Sequence, residues 1–393
     1  MKNDTQKMSY YITGLAHAIN HSFQLMIAPL LPFFAVEFSL NFVEIGLLVT
    51  AFVAAYGVGQ FPAGFLADRI GSKNLIIIGI SICAIGALFA LISSNIYLLS
   101  ASLAIIGIGG STYHPSGLTM LSHAFDEKGR GRAMGLHGLA GSVGQIASPI
   151  ASAGIAVWSS NWRMTFLIYA LMGISFSIFV FIRWKGKDVT KKTRSQSSKQ
   201  TNSVKSLLSK AIVIVFLLAI CQGLLYQITT NFLVLYLVER GYNVTVASLM
   251  LSLLLAAGGI GQYVAGAFSD RYGRKKVLIF LTTATIISVM PIPFVSNEIL
   301  IALVLVFGFF LLGIIPTTNA LMADLAKESF GILFGFYYLF AFGVSSAGPL
   351  IAGFIAESYG GLSSIFIFSG VLGLICLVIT LLIITPQLSQ EAG

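Results

Sequence analysis

The chain has 393 residues, of which 56% are hydrophobic and 9% are charged. A soluble domain carries about 25% charged residues, so this composition excludes a protein whose surface mainly faces water. The net charge of +9 is typical of nucleic-acid binding, but the basic residues lack interleaved aromatic residues. No nucleic-acid partner is therefore predicted.

Long apolar runs follow one another along the whole chain, and each is near the ~20 residues that cross a bilayer as a helix. The first half has runs at 12–34, 45–66, 75–91, 98–121, 134–157 and 165–182. The second half has runs at 211–238, 247–268, 277–294, 299–322, 331–355 and 364–384. The sequence predicts an all-α integral membrane protein of twelve transmembrane helices, with no room for a soluble catalytic domain. The first run is too long for a cleaved signal peptide.

The basic residues lie almost entirely on one side of these predicted helices. Every Lys and Arg except Arg163 and Arg240 falls in the N-terminal tail or in loops that reach the same side as that tail. This positive-inside bias predicts that both termini are cytoplasmic in a multi-pass protein of the cell membrane. Segment 185–209 is rich in Lys, Ser, Thr and Gln, and it is predicted to be a basic cytoplasmic linker that contacts membrane lipids.

The chain also repeats itself. The sequence Gly64-Phe-Leu-Ala-Asp-Arg-Ile-Gly-Ser-Lys73 recurs as Gly266-Ala-Phe-Ser-Asp-Arg-Tyr-Gly-Arg-Lys275, and later landmarks keep nearly the same offset. These landmarks are Pro115 with Pro316, Gly131 with Gly331, Gly135 with Gly335, and Pro149 with Pro349. The repeat predicts two six-helix bundles, 1–184 and 210–393, related by a pseudo-two-fold axis. Equivalent bundles favour a binding site between them, near the bilayer midplane.

The doubled loop motif, the two sets of six helices and the basic central loop resemble the major facilitator superfamily. Within it, the segments Ala16-His-Ala-Ile-Asn-His21, Pro29-Leu-Leu-Pro32 and Gly110-Ser-Thr-Tyr-His-Pro115 resemble the fosmidomycin-resistance type of exporter. The resemblance implies a secondary transporter that works by rocker-switch alternating access. It also implies that spans one, four, seven and ten line the cavity, and that the repeated loop latches the cytoplasmic side.

Polar residues within the spans are the predicted substrate contacts. His17, His21 and Gln24 share one helix face at spacing i, i+4, i+7, with Asn20 beside it. The predicted substrate-binding set is His17, Asn20, His21, Gln24, His114, Gln222, Tyr226, Asn231, Asn319 and Tyr337. His17, His21 and His114 are also predicted to couple proton movement to transport, because a wet imidazole titrates near ~6.5. The alternative is that each histidine only hydrogen-bonds a neighbouring helix.

No metal site and no cofactor are predicted. The spacing of His17 and His21 suits metal ligands on a helix, but no carboxylate or thiolate accompanies them nearby in sequence. Cys83, Cys221 and Cys376 lie in separate apolar runs, without the close pairs that a disulfide or zinc motif shows.

The repeated loops are predicted to form a conformational latch. A carboxylate there can pair with arginine and with a helix N-terminus in only one rocking state. The predicted latch residues are Asp68, Arg69, Arg132, Asp270 and Arg271. The alternative is that these loops only fix topology through their basic residues.

The leading functional hypothesis is proton-coupled efflux of a small amphiphile or drug by a monomer, with protons as the second partner. A transporter of a small organic anion is the alternative within the same class, and a transporter-fold receptor without flux is an alternative outside it. The chain has no P-loop pattern for direct use of ATP. It also lacks a paired serine, cysteine or buried carboxylate for intramembrane catalysis, so an enzyme is not predicted.

Overall fold

The computed structural model describes residues 2–125, 127–184, 209–325 and 330–383, without the side chains of 2–5, 68, 127–132, 330–332 and 334. The described part of the chain forms twelve helical spans, six in each half. In the first half these are Lys2–Leu25 with Ala28–Leu30 and Leu31–Phe38, then Phe42–Ile70, Ser72–Leu91, Ile96–Ser111 with Tyr113–Ala124, Glu127–Trp158 and Arg163–Arg183.

The second half repeats this order of helices. Its spans are Lys210–Glu239, Val244–Tyr272, Arg274–Val289, Asn297–Leu325, then Phe330–Tyr338 continued by Leu339–Gly343, Val344–Ala347 and Gly348–Ser358, and last Ser363–Leu381. The predicted all-α fold of two six-helix bundles is confirmed. The predicted bundle boundaries at 184 and 210 stay a prediction, because linker residues 185–208 lie outside the described part of the chain.

Within the described residues, eleven helices are long and apolar enough to cross a membrane. The ninth span, Arg274–Val289, is shorter at 16 residues, although its apolar run was predicted to extend to residue 294. The helix ends early because Pro291 and Pro293 follow it; proline removes a backbone donor and disfavours helical geometry in the residue before it.

Two predicted spans are interrupted rather than continuous. The first span breaks after Leu25 and restarts as a 3₁₀ turn and a short helix with Pro29 and Pro32 at their first turns, where a missing N–H costs nothing. The eleventh span passes through a π turn, Leu339–Gly343, and a 3₁₀ turn before Pro349. The chain thus changes its hydrogen-bond register before Pro349, whereas Pro62, Pro149 and Pro316 lie inside continuous helices.

The internal repeat is visible in the backbone. Gly71 and Gly273, the matching glycines of the repeated loop, both have φ of 89°, a conformation in which side chains other than glycine are strained. Each begins the helix that follows it. In both halves the lysine two residues later reaches across to the end of the bundle's last span: Lys73 donates to the Trp184 carbonyl, and Lys275 donates to Leu381 and Ile383.

We expect Lys275→Met to destabilise the protein by about 1 kcal/mol, because it removes charge-assisted hydrogen bonds to two helix-end carbonyls. Lys275 Nζ lies 2.8 Å from the Leu381 oxygen and 2.7 Å from the Ile383 oxygen. The measurement is the Tm of the detergent-purified variant. The neighbouring Lys276 is exposed, so Lys276→Met is the matched control, and equal Tm values for both variants would refute the role of Lys275.

We call the side that carries the N-terminus the terminal side, and the opposite side the far side. The two basic residues of the far side, Arg163 and Arg240, are held by local contacts. Arg163 donates to both carboxylate oxygens of Glu37 at 2.9 and 2.6 Å. Arg240 donates to the Val295 carbonyl at 2.9 Å and to Asn297 at 3.0 Å. These contacts satisfy the two basic residues that depart from the charge bias.

The two halves pack closely on the far side. The Phe42 N–H donates to Glu357 at 3.1 Å, and the Leu350 N–H donates to the Thr50 hydroxyl at 3.1 Å. Glycine permits this approach, since a Cβ on Gly46 would lie 2.4 Å from the Pro349 carbonyl oxygen. Glycines on the terminal side contrast with this: within the described residues, a Cβ added at Gly64, Gly135, Gly266 or Gly335 would meet no atom within 4 Å. The described residues of the two halves are therefore in close contact on the far side.

Candidate functional site

A cavity of about 610 Å³ lies between the two halves. Spans one, two, four and five line its first wall, and spans seven to twelve line the second. Its lining extends along the fifth span to Met134, near the terminal side. No Lys, Arg, Asp or Glu is among the described lining residues, so histidine, amide, hydroxyl and tyrosine side chains provide its polarity.

Most of the predicted substrate-binding residues reach this cavity. They are His17, His21, Gln24, His114, Gln222, Tyr226, Asn319 and Tyr337. Asn20 and Asn231 are not in its lining. Asn20 is buried and donates to the Tyr56 hydroxyl at 3.1 Å, and Asn231 donates back to Gln227 in its own helix at 2.8 and 3.0 Å. Both residues connect or stabilise helices instead.

Four imidazoles cluster on the first wall. The ring of His17 lies 4.7 Å from that of His21, 5.3 Å from that of His114 and 4.1 Å from that of His137. Three different spans supply these rings. Gly141 allows the cluster to form, because a Cβ at that position would lie 2.5 Å from the His17 ring.

Hydrogen bonds orient two of the rings. His17 Nδ1 lies 2.9 Å from the His137 carbonyl oxygen, and His21 Nδ1 lies 2.9 Å from Gln24 Oε1. The backbone carbonyl of His137 only accepts a hydrogen bond, so in His17 Nδ1 carries the proton and Nε2 keeps its lone pair. The His21 ring also lies near Gln145, whose Nε2 is 3.3 Å from Nδ1 and 3.5 Å from Nε2. The Nε2 atom of His17 is buried and has no hydrogen-bond partner within the described chain.

Further polar atoms of the cavity wall also lack partners. Within the described residues these are Gln60 Nε2, Gln222 Nε2, Thr282 Oγ1 and Asn319 Oδ1. Buried polar groups without partners are rare in native proteins, and each costs about 1–3 kcal/mol. Two amide donors, one hydroxyl and one amide acceptor on the cavity wall can therefore hydrogen-bond to a solute or to water.

The sequence profile of the Major Facilitator Superfamily matches residues 13–259 and 215–392. The chain belongs to this superfamily. The chain is 23% identical to the fosmidomycin resistance protein of Escherichia coli over 360 residues, covering 89% of this chain and 87% of that one. It is also 23% identical to the uncharacterized transporter YfnC of Bacillus subtilis, covering 89% and 86%. These matches confirm the predicted family and the resemblance to the fosmidomycin-resistance type.

Solved superfamily structures share the fold. A bacterial homologue of the human lysosomal transporter Spinster, in an inward-facing and occupied conformation, superposes with a TM-score of 0.81 at 16% identity, covering 96% of each chain. The nucleoside transporter NupG (D323A mutant) gives 0.80 at 15% identity, covering 95% of this chain and 100% of that one. The protein is thus a multi-pass membrane transporter of the major facilitator fold.

Several lining residues of this superfamily member were not predicted as substrate contacts. They are Tyr56, Gln60, His137, Gln145, Gln227, Gln262 and Tyr338. Gln60 and Gln262 could have been predicted from the internal repeat. Gly57-x-Gly-Gln60 recurs as Gly259-x-Gly-Gln262 with the same offset as the loop motif. A duplicated amide within an apolar run indicates a shared role in both halves.

The structure describes only some of the side chains of the predicted latch. The side chains of Asp68 and Arg132 lie outside the described residues, and Arg69 is exposed. Asp270 pairs with Arg274, which also contacts Asp324 at 3.3 Å, while Arg271 lies against the ring of Tyr272. Arg274 and Asp324, which were not predicted, therefore tie the repeated loop to the tenth span within the second half. The latch itself stays a prediction.

Proposed function

We propose that this transporter exports a small, uncharged or weakly polar amphiphile in exchange for protons. The cavity lining carries this proposal, because it offers hydrogen-bonding and aromatic side chains without a described fixed charge. Tyr56, Tyr226, Tyr337 and Tyr338 provide apolar surfaces with polar tips. Gln60, Gln222 and Asn319 provide the free donors and the free acceptor.

The imidazole cluster supplies the coupling. A proton on the cluster places a positive charge in the cavity. An apolar solute would displace the water around that charge, and burying an unpaired charge costs free energy. Solute and proton therefore exclude each other, which is the requirement for exchange. The described lining offers no carboxylate that would neutralise the charge and allow both to bind.

The direction follows from the charge bias. We propose that the terminal side faces the cytoplasm, since the excess of Lys and Arg on that side is the usual determinant of orientation. The cavity extends toward that side, so it can take up solute from the cytoplasm. Rocking of the halves then opens the closely packed far side, which releases the solute outside and admits a proton.

Flux in proteoliposomes with an imposed pH gradient tests the proposal. A fluorescent amphiphile should accumulate against its gradient when protons can flow the other way, and a protonophore should abolish this accumulation. A measured flux that ignores the pH gradient would contradict proton exchange. Binding without any flux would favour the receptor alternative.

A small organic anion is a second candidate solute, supported by the four imidazoles, which become positive when protonated. It is also supported by relatives named as a probable sulfoacetate transporter of Cupriavidus necator and a probable galactarate/D-glucarate transporter of Bacillus subtilis, 23% and 25% identical to this chain. The same assay with sulfoacetate and D-glucarate distinguishes the two solute classes. An anion that binds the protonated cluster would move with protons rather than against them.

A further inference from the structure

We propose that His17, His21 and His114 form a binding site for a divalent transition-metal ion, with one coordination position open to the cavity. One ring nitrogen from each of the three lies within 4.8 Å of the others. The first and fourth spans supply the three rings. The same imidazoles carry the proposed proton coupling, so a bound ion and a proton would compete for their nitrogens, but the site is tested by binding alone.

The distances are those of a site that needs only a small adjustment to bind an ion. Two imidazole nitrogens that bind one zinc ion at about 2.0–2.1 Å in tetrahedral geometry lie about 3.4 Å apart. The separation of up to 4.8 Å therefore closes if each ring moves by about 1 Å. We expect rotation about the side-chain torsions to supply this shift.

The tautomer of His17 is already correct for metal binding. Metal-bound histidines usually donate their other N–H to a carbonyl or carboxylate oxygen, which fixes the ring and raises its basicity. His17 has this arrangement with the His137 carbonyl. His21 Nδ1 lies between two amides, 2.9 Å from Gln24 Oε1 and 3.3 Å from Gln145 Nε2. In His17, 8% exposed, the remaining nitrogen Nε2 is buried without a hydrogen-bond partner in the described chain.

The ligand set selects the class of ion. Neutral imidazoles suit Zn²⁺, Ni²⁺ and Cu²⁺, whereas Mg²⁺ and Ca²⁺ prefer oxygen ligands. Three protein ligands leave the fourth tetrahedral position for water or solute. Because the described lining has no carboxylate, the bound ion keeps its full charge, so its open position favours an anionic ligand.

The prediction that no metal site exists considered only neighbours in sequence. His114 is far from His17 and His21 in the chain, and the packing of the fourth span against the first brings its ring to 5.3 and 5.5 Å from theirs. The third ligand could therefore not be recognised from the spacing of the first two.

Calorimetric titration of tag-free, detergent-purified protein with Zn²⁺ and Ni²⁺ tests the site. We expect one ion per chain, no binding of Mg²⁺, and affinity weakened by about 100-fold or more in His21→Ala and His114→Ala, since each removes a direct ligand. His123 is an exposed histidine near the end of the fourth span, so His123→Ala is the matched control and should bind as the wild type does.

A second measurement covers variants that fold poorly. Co²⁺ bound by three imidazoles and one further ligand gives the strong visible absorption of a tetrahedral site, and His114→Gln, which keeps a polar side chain, should lose it at an unchanged Tm. Absence of binding by the wild type, or equal affinity in His21→Ala, would overturn the proposal. Since binding is measured without flux, either result leaves proton exchange to be decided separately.

Discussion

Flux through the His21→Ala variant is expected to lose most of its response to a pH gradient, while downhill movement of the solute continues. The ring of His21 lies 4.7 Å from that of His17 and 5.5 Å from that of His114, so its removal takes one site for the proton out of the cluster. Coupling between two ligands is typically worth about 5–150-fold, and we expect gradient-driven accumulation to fall by about 10-fold. The measurement is the ratio of accumulated to free solute in proteoliposomes.

His123→Ala serves as the control here also, because His123 has the same chemistry and is absent from the cavity lining. The double variant His21→Ala/His114→Ala should abolish accumulation altogether. A double variant that still accumulates solute at the wild-type ratio would show that the imidazoles do not couple the proton. The four imidazoles would then only form contacts between neighbouring helices, which is the alternative given in the sequence analysis.

Replacing Gly46 with leucine is expected to stop transport by preventing closure of the far side. A Cβ at this position would lie 2.4 Å from the Pro349 oxygen and 3.0 Å from the Leu350 Cα, and backbone atoms cannot move aside as a flexible side chain does. Overpacking of this kind costs about 1–3 kcal/mol, and 2 kcal/mol shifts the ratio of two conformations by about 30-fold. The far-side-open state should therefore dominate.

Cysteine labelling measures this shift. Ser142 lines the cavity, and Ser142→Cys in a chain without Cys83, Cys221 and Cys376 can be probed with a membrane-impermeant maleimide from each side. Gly46→Leu should increase labelling from the far side. Gly154 is a glycine of the fifth span with no neighbour within 4 Å of an added Cβ, so Gly154→Leu should leave labelling unchanged. Equal labelling of the two variants would refute the proposed role of this contact.

The fold could be predicted almost completely from the sequence because long apolar runs and a duplicated loop leave few alternatives. The errors have local causes. Pro29, Pro291 and Pro349 were visible in the sequence, but hydropathy alone does not show whether a proline ends, shortens or re-registers a span. In the structure the first span restarts at Pro29, the ninth ends before Pro291, and the eleventh changes its hydrogen-bond register before Pro349.

The site could be predicted only in part because helix faces are visible in a sequence and contacts between helices are not. His17, His21 and Gln24 share a face, and all three reach the cavity. Asn231 shows the limit, since an amide in the seventh span can satisfy itself within its own helix. The convergence of His114 and His137 on His17 depends on packing between spans, which the spacing of residues does not encode.

The unequal distribution of imidazoles has a consequence for the origin of the transport cycle. Gln60 and Gln262 survive as a duplicated pair, whereas all five histidines of the chain belong to one half. A hypothetical ancestor assembled from two copies of the second half would keep amides and tyrosines but would hold no imidazole. Such a carrier would lack the imidazoles that we propose as the coupling groups and would only equilibrate its solute. On that proposal, the use of a proton gradient depends on one half of the chain alone.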